Sequence, residues 1–484
     1  MKALGVLGTG SSVGKTWVAT ALGAWLRRQG VRVAPCKTQN MSNNAWALPE
    51  GGEIARAQAM QAEACGLTPT AEMNPILLKP SGRLGSQLVL NGRAQGHLSA
   101  EDYYGEFDRL WHHVSGVLDG WRTRCDVLLL EGAGSPVELN LMDRDLVNLR
   151  PVRHLDGRWL LVGDIDRGGI FAQLAGTWNL MPAADRPRSL GAIVNRFRGN
   201  LALFPDPGVR LAPHAPGLDV LGTLPWRSDL QPETEDGFDP GVEDRGSGDT
   251  VAWIRYPRVA NITDCQPWWD DAGVRTRWVN DPAQLNGAKV IVLPGSKNTL
   301  GDLRWLHANG WSAAIAAAAQ RGVLVIGLCG GYQMLGERLH DPEGLAGDAG
   351  SEPGLGLLPI TTGFHPDKIV QQVTAECDGR RWQAYEIHMG RSTATQPCDA
   401  LQQVTDANGP RAEGQRRGNV WGTYLHGWFE APEVRRRVAA AAGLDGHRAE
   451  PTPWAEKRQE VYAQMADHLA AHIDLGPVRR YLEL

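Results

Sequence analysis

The sequence lacks paired cysteines, long apolar runs and an excess of basic charge. Its seven cysteines are scattered and none belongs to a CxxC pair, which argues against a disulfide framework and a zinc ribbon. No stretch approaches the ~20 apolar residues of a membrane-spanning helix, and MKALGVLGTG at the start does not read as a signal peptide. The net charge of −5 indicates no basic surface for nucleic acid or anionic membranes. We therefore expect a cytoplasmic protein with neither a nucleic-acid nor a membrane partner.

Short apolar runs that end in glycine or aspartate recur along the first half of the chain. They are ALGVLGTG (3–10), CDVLLLEGAG (125–134), RWLLVGDID (158–166) and LGAIVNRF (190–197). Uninterrupted apolar runs suit strands that are covered on both faces, and helix-like stretches separate several of them. The pattern predicts a parallel α/β sheet.

The chain of 484 residues is too long for one ordinary core. Residues 231–250, QPETEDGFDPGVEDRGSGDT, are acidic, rich in proline and glycine and nearly free of apolar side chains, as linkers are. A second α/β series follows this stretch. We predict an ATP-binding domain at 1–230, a linker at 231–250, a second domain at 251–445 and a helical extension of that second domain at 446–484.

The stretch GTGSSVGKT (8–16) follows a predicted strand and opens a predicted helix. Small residues let backbone N–H groups approach phosphate oxygens, and the helix N-terminus adds partial positive charge. We predict an ATP site of the P-loop kind, with Lys15 on the terminal phosphates and Thr16 on Mg²⁺. The rest of the loop is Gly8, Thr9, Gly10, Ser11, Ser12, Val13 and Gly14. Its first glycine stands one residue earlier than in GxxxxGK[ST], and this longer loop resembles that of dethiobiotin synthetase; the alternative is a glycine-rich turn without a ligand.

A nucleotide site of this kind needs carboxylates for its metal ion. Glu131 and Asp164 both end predicted strands, at the edge where open α/β sheets bind ligands. Glu131 is favoured because apolar residues precede it and small residues follow it, and Glu53 is a further candidate. Asn195 lies where P-loop relatives often contact the nucleotide base.

One cysteine stands in IGLCGGYQMLG (326–336), between an apolar run and a glycine pair. A strand delivered straight into a helix makes a sharp turn that holds Cys329 out of the core, as in a nucleophile elbow. The helix N-terminus favours the thiolate, and His426 in WGTYLHGWFE is the candidate base. Gly330, together with the turn at Gly295 and Ser296, offers backbone donors for an oxyanion. The alternative is a buried structural cysteine with an unrelated histidine.

In this order along the chain, PGS, GLCGGYQ and YLHG resemble a class I glutamine amidotransferase domain, a flavodoxin-like α/β fold, over about 250–445. The resemblance implies that Cys329 attacks the glutamine side-chain amide and releases ammonia through a glutamyl thioester. Such domains usually carry a glutamate two residues after the histidine, whereas this chain has Trp428. Either another group orients His426 or the cysteine and histidine work as a dyad.

Further stretches resemble the cobyric acid synthases along nearly the whole chain. They are KTQNMSNNAW (37–46), NPILLKPSG (74–82), EGAGSPVELNLMDRD (131–145), GDIDRGGIFA (163–172), VNRFRGN (194–200), LPGSKNT (293–299) and YEIHMG (385–390). The resemblance implies ATP·Mg²⁺- and glutamine-dependent amidation of four peripheral carboxylates (b, d, e, g) of a corrinoid, adenosylcobyrinic acid a,c-diamide. It also implies a set of residues near the corrinoid or the γ-phosphate: Lys37, Gln39, Asn40, Ser42, Asn43, Asn44, Asp143 and Asp145. Glu386 and His388 are expected to be structural.

Three alternatives stay open at this point. Cobyrinate a,c-diamide synthase, or another P-loop amidoligase, shares the two-domain plan and would differ in its acid substrate. A partitioning-type ATPase switch would use ATP to dimerise, but the acidic net charge and the fused glutaminase-like domain count against it. The third alternative is a purely structural role for these stretches. Asparagine-rich loops such as 37–44 often cap helices, and residues 143–145 would then form a surface ion pair.

Overall fold

The computed structural model describes residues 1–80, 85–230 and 244–484. In the first half the strands are β1 (Lys2–Gly8), β2 (Val33–Cys36), β3 (Gln39–Met41), β4 (Ala45–Ala47), β5 (Glu53–Ala55), β6 (Ile76–Pro80), β7 (Ser86–Leu90), β8 (Arg93–Leu98), β9 (Val127–Glu131), β10 (Arg158–Asp164), β11 (Ser189–Phe197) and β12 (Val220–Pro225). The helices are α1 (Lys15–Arg28), α2 (Arg56–Ala64), α3 (Ala100–Gly105), α4 (Phe107–Gly120), α5 (Leu149–His154), α6 (Ile170–Leu180) and α7 (Pro207–Leu211).

A six-stranded sheet organises this half, in the order β12-β11-β10-β1-β9-β2 with every pairing parallel. Successive β1 side chains enter opposite apolar clusters, with Leu4 and Val6 on one face and Ala3 and Leu7 on the other. α1 contributes to the first cluster and α4 to the second, so helices cover both faces. The predicted parallel α/β sheet is confirmed.

Between β2 and β9 the chain leaves this sheet and builds two small ones, β3-β6-β7-β8 and β4-β5. The β4 strand lies against the second half of the chain: the Trp46 ring is 4.5 Å from that of Tyr385. Gln372 also donates to the Ala47 carbonyl oxygen (3.0 Å). This excursion therefore forms part of the contact between the two halves.

In the second half the strands are β13 (Asp244–Gly246), β14 (Asp249–Ile254), β15 (Val259–Ala260), β16 (Val274–Val279), β17 (Ala288–Leu293), β18 (Gly295–Ser296), β19 (Leu324–Leu328), β20 (Arg338–Asp341), β21 (Gly350–Pro353), β22 (Ile360–Cys377), β23 (Arg380–Ala394), β24 (Asp399–Asp406), β25 (Gly409–Arg417) and β26 (Val420–Thr423). The helices are α8 (Thr299–Ala308), α9 (Trp311–Gln320), α10 (Gly330–Met334), α11 (Pro432–Ala442), α12 (Trp454–His472) and α13 (Gly476–Leu482).

The second sheet has a parallel part, β16-β14-β17-β19-β26, to which antiparallel strands are added at both edges. In β14, Val251 and Trp253 pack on one face, and Ala252 and Ile254 on the other. The long hairpin of β22 and β23 carries the sheet towards β4. A mixed α/β architecture with a parallel core thus recurs in both halves.

The predicted extension at 446–484 contains the two helices α12 and α13, whose apolar faces pack on the first half rather than on the second. The segment before α12 remains bound to the second half, where His447 and the Glu450 N–H contact Asp271. Tyr462, Met465 and Leu469 of α12 belong to the same buried cluster as Leu22 and Leu26 of α1. This is a correction: an apolar helix face in a sequence does not specify which domain covers it.

Polar contacts repeat this attachment of the C-terminal helices to the first half. Arg28 pairs with Asp467 (2.6 Å), and Lys2 pairs with Glu483 (2.7 Å). The second domain is therefore enclosed in the chain between two parts of the first.

Most of the predicted linker, residues 231–243, lies outside the described residues. Its remaining part is not a linker, because Asp244–Gly246 forms the edge strand β13, paired antiparallel with β16. Throughout the described ranges, every helix is too short or too polar to cross a membrane.

Candidate functional site: a phosphate loop and a cysteine–histidine pocket

The phosphate loop joins the first sheet to its first helix. β1 ends at Gly8 and α1 begins at Lys15. Between them the backbone is left-handed at Ser12 (φ 57°) and Gly14 (φ 96°). No larger residue fits at Gly14, because a Cβ there would lie 2.0 Å from the side-chain nitrogen of Asn195. The loop is thus shaped by close packing against β11.

The ammonium group of Lys15 lies inside the loop. It donates to the carbonyl oxygens of Gly10 (2.7 Å) and Gly134 (2.9 Å). Ser11 and Ser12 are exposed on the open side, and α1 carries no acidic residue in its first turn. The positive end of the helix dipole is therefore available to an anion at this place.

Glu131 is buried at the carboxyl end of β9 and is surrounded by donors. One of its oxygens accepts hydrogen bonds from the Thr16 hydroxyl and the Lys37 ammonium, both at 2.9 Å. The other accepts from the Gln61 amide (2.5 Å). A hydroxyl beside a carboxylate suits Mg²⁺, which takes few protein ligands and keeps water and phosphate oxygens as the others. Within the described ranges no cluster of three His, Cys, Asp or Glu side chains offers a denser metal site.

The two other acids proposed for this site have different partners. Glu53 is buried with Lys79 (2.7 Å) and Lys368, one on each carboxylate oxygen. Burial alone would raise the pKa of Glu53, but the two ammonium groups hold it below its ordinary value. These two lysines line the pocket around Cys329 and not the phosphate loop, so Glu53 lies away from Thr16 and Glu131, and its prediction as a metal ligand is corrected. Asp164 faces Arg196 (3.3 Å).

Asn195 and Thr9 both support the loop. The Asn195 amide donates to the carbonyl oxygen of Val13 (2.9 Å), and the Thr9 hydroxyl donates to Gln173 (3.0 Å). The structure thus brings Asn195 to the phosphate loop itself, where its side chain holds the backbone.

The first residues of the predicted substrate stretch lie close to the phosphate site. Lys37 is bound to Glu131 as described, and the Asn40 amide donates to Gln58 (2.7 Å). Gln39 accepts from the Tyr103 hydroxyl (2.7 Å), and both line an open pocket beside the phosphate loop.

The aspartates of the 143–145 stretch differ from each other. Asp145 lines the same pocket, but its carboxylate accepts the backbone N–H groups of Val147, Asn148 and Arg150 (2.8–3.0 Å). It therefore shapes the loop before α5. Asp143 is exposed.

Residues 42–44 lie near Cys329 and not near the phosphate loop, contrary to the prediction from the sequence. The Ser42 hydroxyl accepts the N–H of Asn44 (3.0 Å) and holds a tight turn. The Asn44 side-chain oxygen accepts the backbone N–H of Asn261 in the second half (2.9 Å). Asn43 lines a pocket together with Cys329. The structure thus places these three residues between the domains rather than in the pocket beside the phosphate loop.

Cys329 stands at a sharp turn between β19 and α10, with φ 49° and ψ −106°. This conformation is strained for a residue with a side chain, and such strain concentrates at functional sites. The turn requires glycine behind it, because a Cβ at Gly331 would lie 1.9 Å from the Leu293 carbonyl oxygen. The thiol lies 3.5 Å from the Ile387 carbonyl oxygen. The geometry is that of the expected elbow.

His426 lies beside Cys329 and is held by a carboxylate. Its Nδ1 is 2.7 Å from one oxygen of Asp264, whose other oxygen accepts the Gly427 N–H (2.9 Å). Burial lowers the pKa of His426, but the charges of Asp264 and Cys329 outweigh it and raise that pKa to about 10. A buried Cys–His–Asp arrangement results, in which the imidazole retains its proton next to the sulfur of Cys329.

Sequence reasoning missed Asp264. It lies in the 3₁₀ helix Ile262–Asp270, which follows β15. The position where a glutamate is usual holds Trp428, which is 1% exposed and donates to Gln402 (2.6 Å). Of the two alternatives, the structure shows that another group contacts His426. The only available signal was an aspartate shortly after a predicted strand of the same sheet.

The predicted oxyanion donors converge on this pocket. Gly330 lies close to the Ser296 backbone nitrogen, since a Cβ at Gly330 would be 2.7 Å from it. Gly295 lies close to His426, since a Cβ at Gly295 would be 3.1 Å from Cε1 of the imidazole. All of them line one pocket with Cys329.

The same pocket crosses the domain boundary. Asn43 and Lys79 come from the first half, and Lys297 and Lys368 from the second. His388 also lines it; burial lowers the pKa of this histidine to about 4, and its Nδ1 lies 2.7 Å from the Gly390 carbonyl oxygen. The domain that carries the phosphate loop therefore supplies part of the wall of the cysteine pocket.

Residues 4–237 match the CobQ/CobB/MinD/ParA nucleotide binding domain, and residues 250–434 match the CobB/CobQ-like glutamine amidotransferase domain. With a phosphate loop on one and an elbow cysteine on the other, the fold and the sites define a glutamine-dependent amidoligase. A cobyric acid synthase of Roseiflexus castenholzii is 44% identical over 98% of this chain and 97% of its own. One of Variovorax paradoxus is 47% identical over 91% of this chain and 94% of its own. The chain belongs to the cobyric acid synthase family.

Proposed function

We propose that this protein uses ATP and glutamine to amidate four peripheral carboxylates, b, d, e and g, of adenosylcobyrinic acid a,c-diamide. One observation carries the proposal: the same chain holds the Thr16–Glu131 pair at the phosphate loop and the Cys329–His426 pair at the elbow. ATP makes a carboxylate electrophilic by phosphorylating it, and ammonia then displaces the phosphate. The names of the relatives support the corrinoid as the acid.

At the ATP end, Lys15 and the loop N–H groups bind the phosphates. The Thr16 hydroxyl and the Glu131 carboxylate would hold Mg²⁺, which would supply neutralisation of charge on the phosphates. Lys37 and Gln61 donate to Glu131 and so fix the direction of its oxygens. Fixed ligands reduce the reorganisation that accompanies transfer.

At the glutamine end, Cys329 attacks the side-chain carbonyl carbon as a thiolate while His426 holds the proton. The resulting oxyanion accepts hydrogen bonds from the Gly330 and Ser296 N–H groups. His426 then gives its proton to the leaving nitrogen, ammonia departs and a glutamyl thioester remains. His426 then takes a proton from water, the hydroxide attacks the thioester, and glutamate and the Cys329 thiolate are released beside the protonated His426. Asp264 keeps the imidazole in the required orientation and stabilises its charged form.

We assign the corrinoid to the open pocket beside the phosphate loop. Tyr103, Tyr104 and Leu141 line it and present apolar surface to a flat macrocycle. Arg144 supplies positive charge for peripheral carboxylates, and Gly134 connects the pocket to Lys15 through its carbonyl oxygen. An acid bound here lies next to the phosphates that activate it.

Product mass tests the proposal. Purified protein is incubated with the corrinoid, glutamine, ATP and Mg²⁺, and carboxyl-to-carboxamide conversions are counted. We expect four conversions, none without ATP, and none in Lys15→Ala, which should still hydrolyse glutamine at the rate seen without ATP. Hydrolysis of glutamine without any conversion would show that the acid substrate is a different one.

A further inference from the structure

Buried contacts along α2 connect the phosphate site to the contact between the domains. At one end of α2, Gln61 donates to Glu131 (2.5 Å). At the other end, the Arg56 N–H donates to the Asn44 carbonyl oxygen (3.0 Å), and its guanidinium lies 4.1 Å from the Trp46 ring. All residues of α2 except one are buried. A short helix that is packed on all sides moves as a unit, so a displacement at Gln61 reaches Asn44.

Asn44 in turn contacts Asn261 of the second domain. The Asn44 side-chain oxygen accepts the Asn261 backbone N–H (2.9 Å), and the Ala45 N–H lies 3.5 Å from the Asn261 side-chain oxygen. The Asn261 amide donates to the Tyr385 hydroxyl (3.3 Å). Asn44, Asn261 and Tyr385 are at most 6% exposed. The first domain thus holds Asn261 by its backbone and its side chain.

Asn261 is directly connected to the groups that orient the histidine. Asn261, with φ 54°, directly precedes the 3₁₀ helix that carries Asp264. The Asp264 N–H donates to the carbonyl oxygen of Asn261 (3.2 Å). Tyr385 pairs with His426 through two backbone hydrogen bonds (2.9 and 3.2 Å). A shift of Asn261 therefore acts on His426 from two sides, through Asp264 and through Tyr385.

We propose that Asn261 is a positioning residue that couples ligand binding at the phosphate site to glutamine hydrolysis at Cys329. This inference rests on the function proposed above. Ligands that bind between Thr16 and Glu131 engage the carboxylate whose other oxygen accepts the Gln61 amide, and α2 with the turn at 42–44 transmits the resulting shift of Gln61 to Asn261. Two ligands linked in this way stabilise one arrangement of the shared element, and the coupling is reciprocal. Ammonia is then formed mainly when the acid is ready to receive it.

The test compares glutamine hydrolysis with and without ATP, Mg²⁺ and the corrinoid. In the unmodified protein we expect these ligands to stimulate hydrolysis by about fivefold or more. Asn261→Gly removes the amide yet tolerates the left-handed backbone, and we expect its stimulation ratio to fall close to one. Its amidation with ammonium chloride in place of glutamine should stay unchanged. The matched control is Asp378→Gly, the same replacement at φ 48° in an exposed turn, which should keep the full ratio.

A full stimulation ratio in Asn261→Gly would overturn the inference. So would an equal fall in the rates of glutamine hydrolysis with and without the ligands, because an unchanged ratio marks a merely structural role. Absence of stimulation in the unmodified protein would overturn it as well. Tyr385→Phe provides a second variant that keeps the ring and removes the hydroxyl acceptor of Asn261; its ratio should also fall, and it decides the matter where Asn261→Gly does not fold. Failure of the unmodified protein to amidate the corrinoid, even with ammonium, would instead contradict the proposed function.

Discussion

Replacement of Asp264 by asparagine tests the catalytic arrangement most directly. Asp264 and His426 are both buried and their nearest atoms are 2.7 Å apart. Asparagine preserves the shape but removes the charge that stabilises the imidazolium. The loss of one charge from a buried pair costs about 3–5 kcal/mol, which corresponds to a decrease of roughly 10²- to 10⁴-fold in kcat with glutamine.

The pH dependence should change in the same variant. Because Asp264 and Cys329 together raise the pKa of His426 to about 10, against the effect of burial, the unmodified imidazole keeps its proton through neutral and mildly alkaline pH. Without the Asp264 charge the pKa falls, so the imidazole loses its proton at lower pH. We expect the alkaline decline of glutamine hydrolysis to begin at lower pH in Asp264→Asn than in the parent.

The assay measures glutamate release and, separately, corrinoid amidation with ammonium chloride, which bypasses Cys329. Asp264→Asn should lose the first activity and keep the second. Asp270→Asn changes an exposed carboxylate in the same 3₁₀ helix and serves as the matched control. A kcat with glutamine within about fivefold of the parent would refute the assignment of Asp264.

Three further predictions concern Cys329, Thr16 and Glu53. Cys329→Ser should reduce glutamine-dependent amidation by about 10⁴-fold or more while ammonium-dependent amidation continues; equal activity with both donors would rule out the nucleophile. Thr16→Val should lower phosphate release from ATP by about 10- to 100-fold, and Thr16→Ser should restore it, since the hydroxyl returns. Glu53→Gln should lower the free energy of unfolding by about 3–5 kcal/mol at pH 7, because Lys79 and Lys368 lose their shared carboxylate. The pKa of Glu53 lies below its ordinary value, so this contribution is present above pH ~4.3 and is lost as the pH falls further; denaturant unfolding at several pH values, with exposed Glu50→Gln as control, measures it.

Features encoded in adjacent residues could be predicted from the sequence. The run VLLLE gives the strand that ends at Glu131, and VLVIG leads directly into the turn at Cys329. In both cases the apolar run, the small residues and the chemical group lie within about one element of each other. The strand direction then places the group at the carboxyl edge of the sheet, where ligands bind.

Features that depend on distant partners could not be predicted in the same way. Asp264 precedes His426 by 162 positions, and its place shortly after a predicted strand is the only local pattern that marks it. Glu53 has the appearance of a free carboxylate near a loop, but Lys368, 315 positions away, is bound to it. The helical character of 446–484 could be predicted, whereas the surface that α12 covers is set by tertiary packing.

The return of α12 and α13 to the first domain has a consequence for how such a chain could be divided. The glutaminase domain is connected covalently to its partner at both of its ends, as an inserted domain is. A single break after residue 230 would produce a first fragment without the helix that covers Leu22 and Leu26. A two-gene version of this enzyme would therefore have to encode that helix with the nucleotide-binding fragment, or supply it from the glutaminase subunit as a strap across the subunit interface.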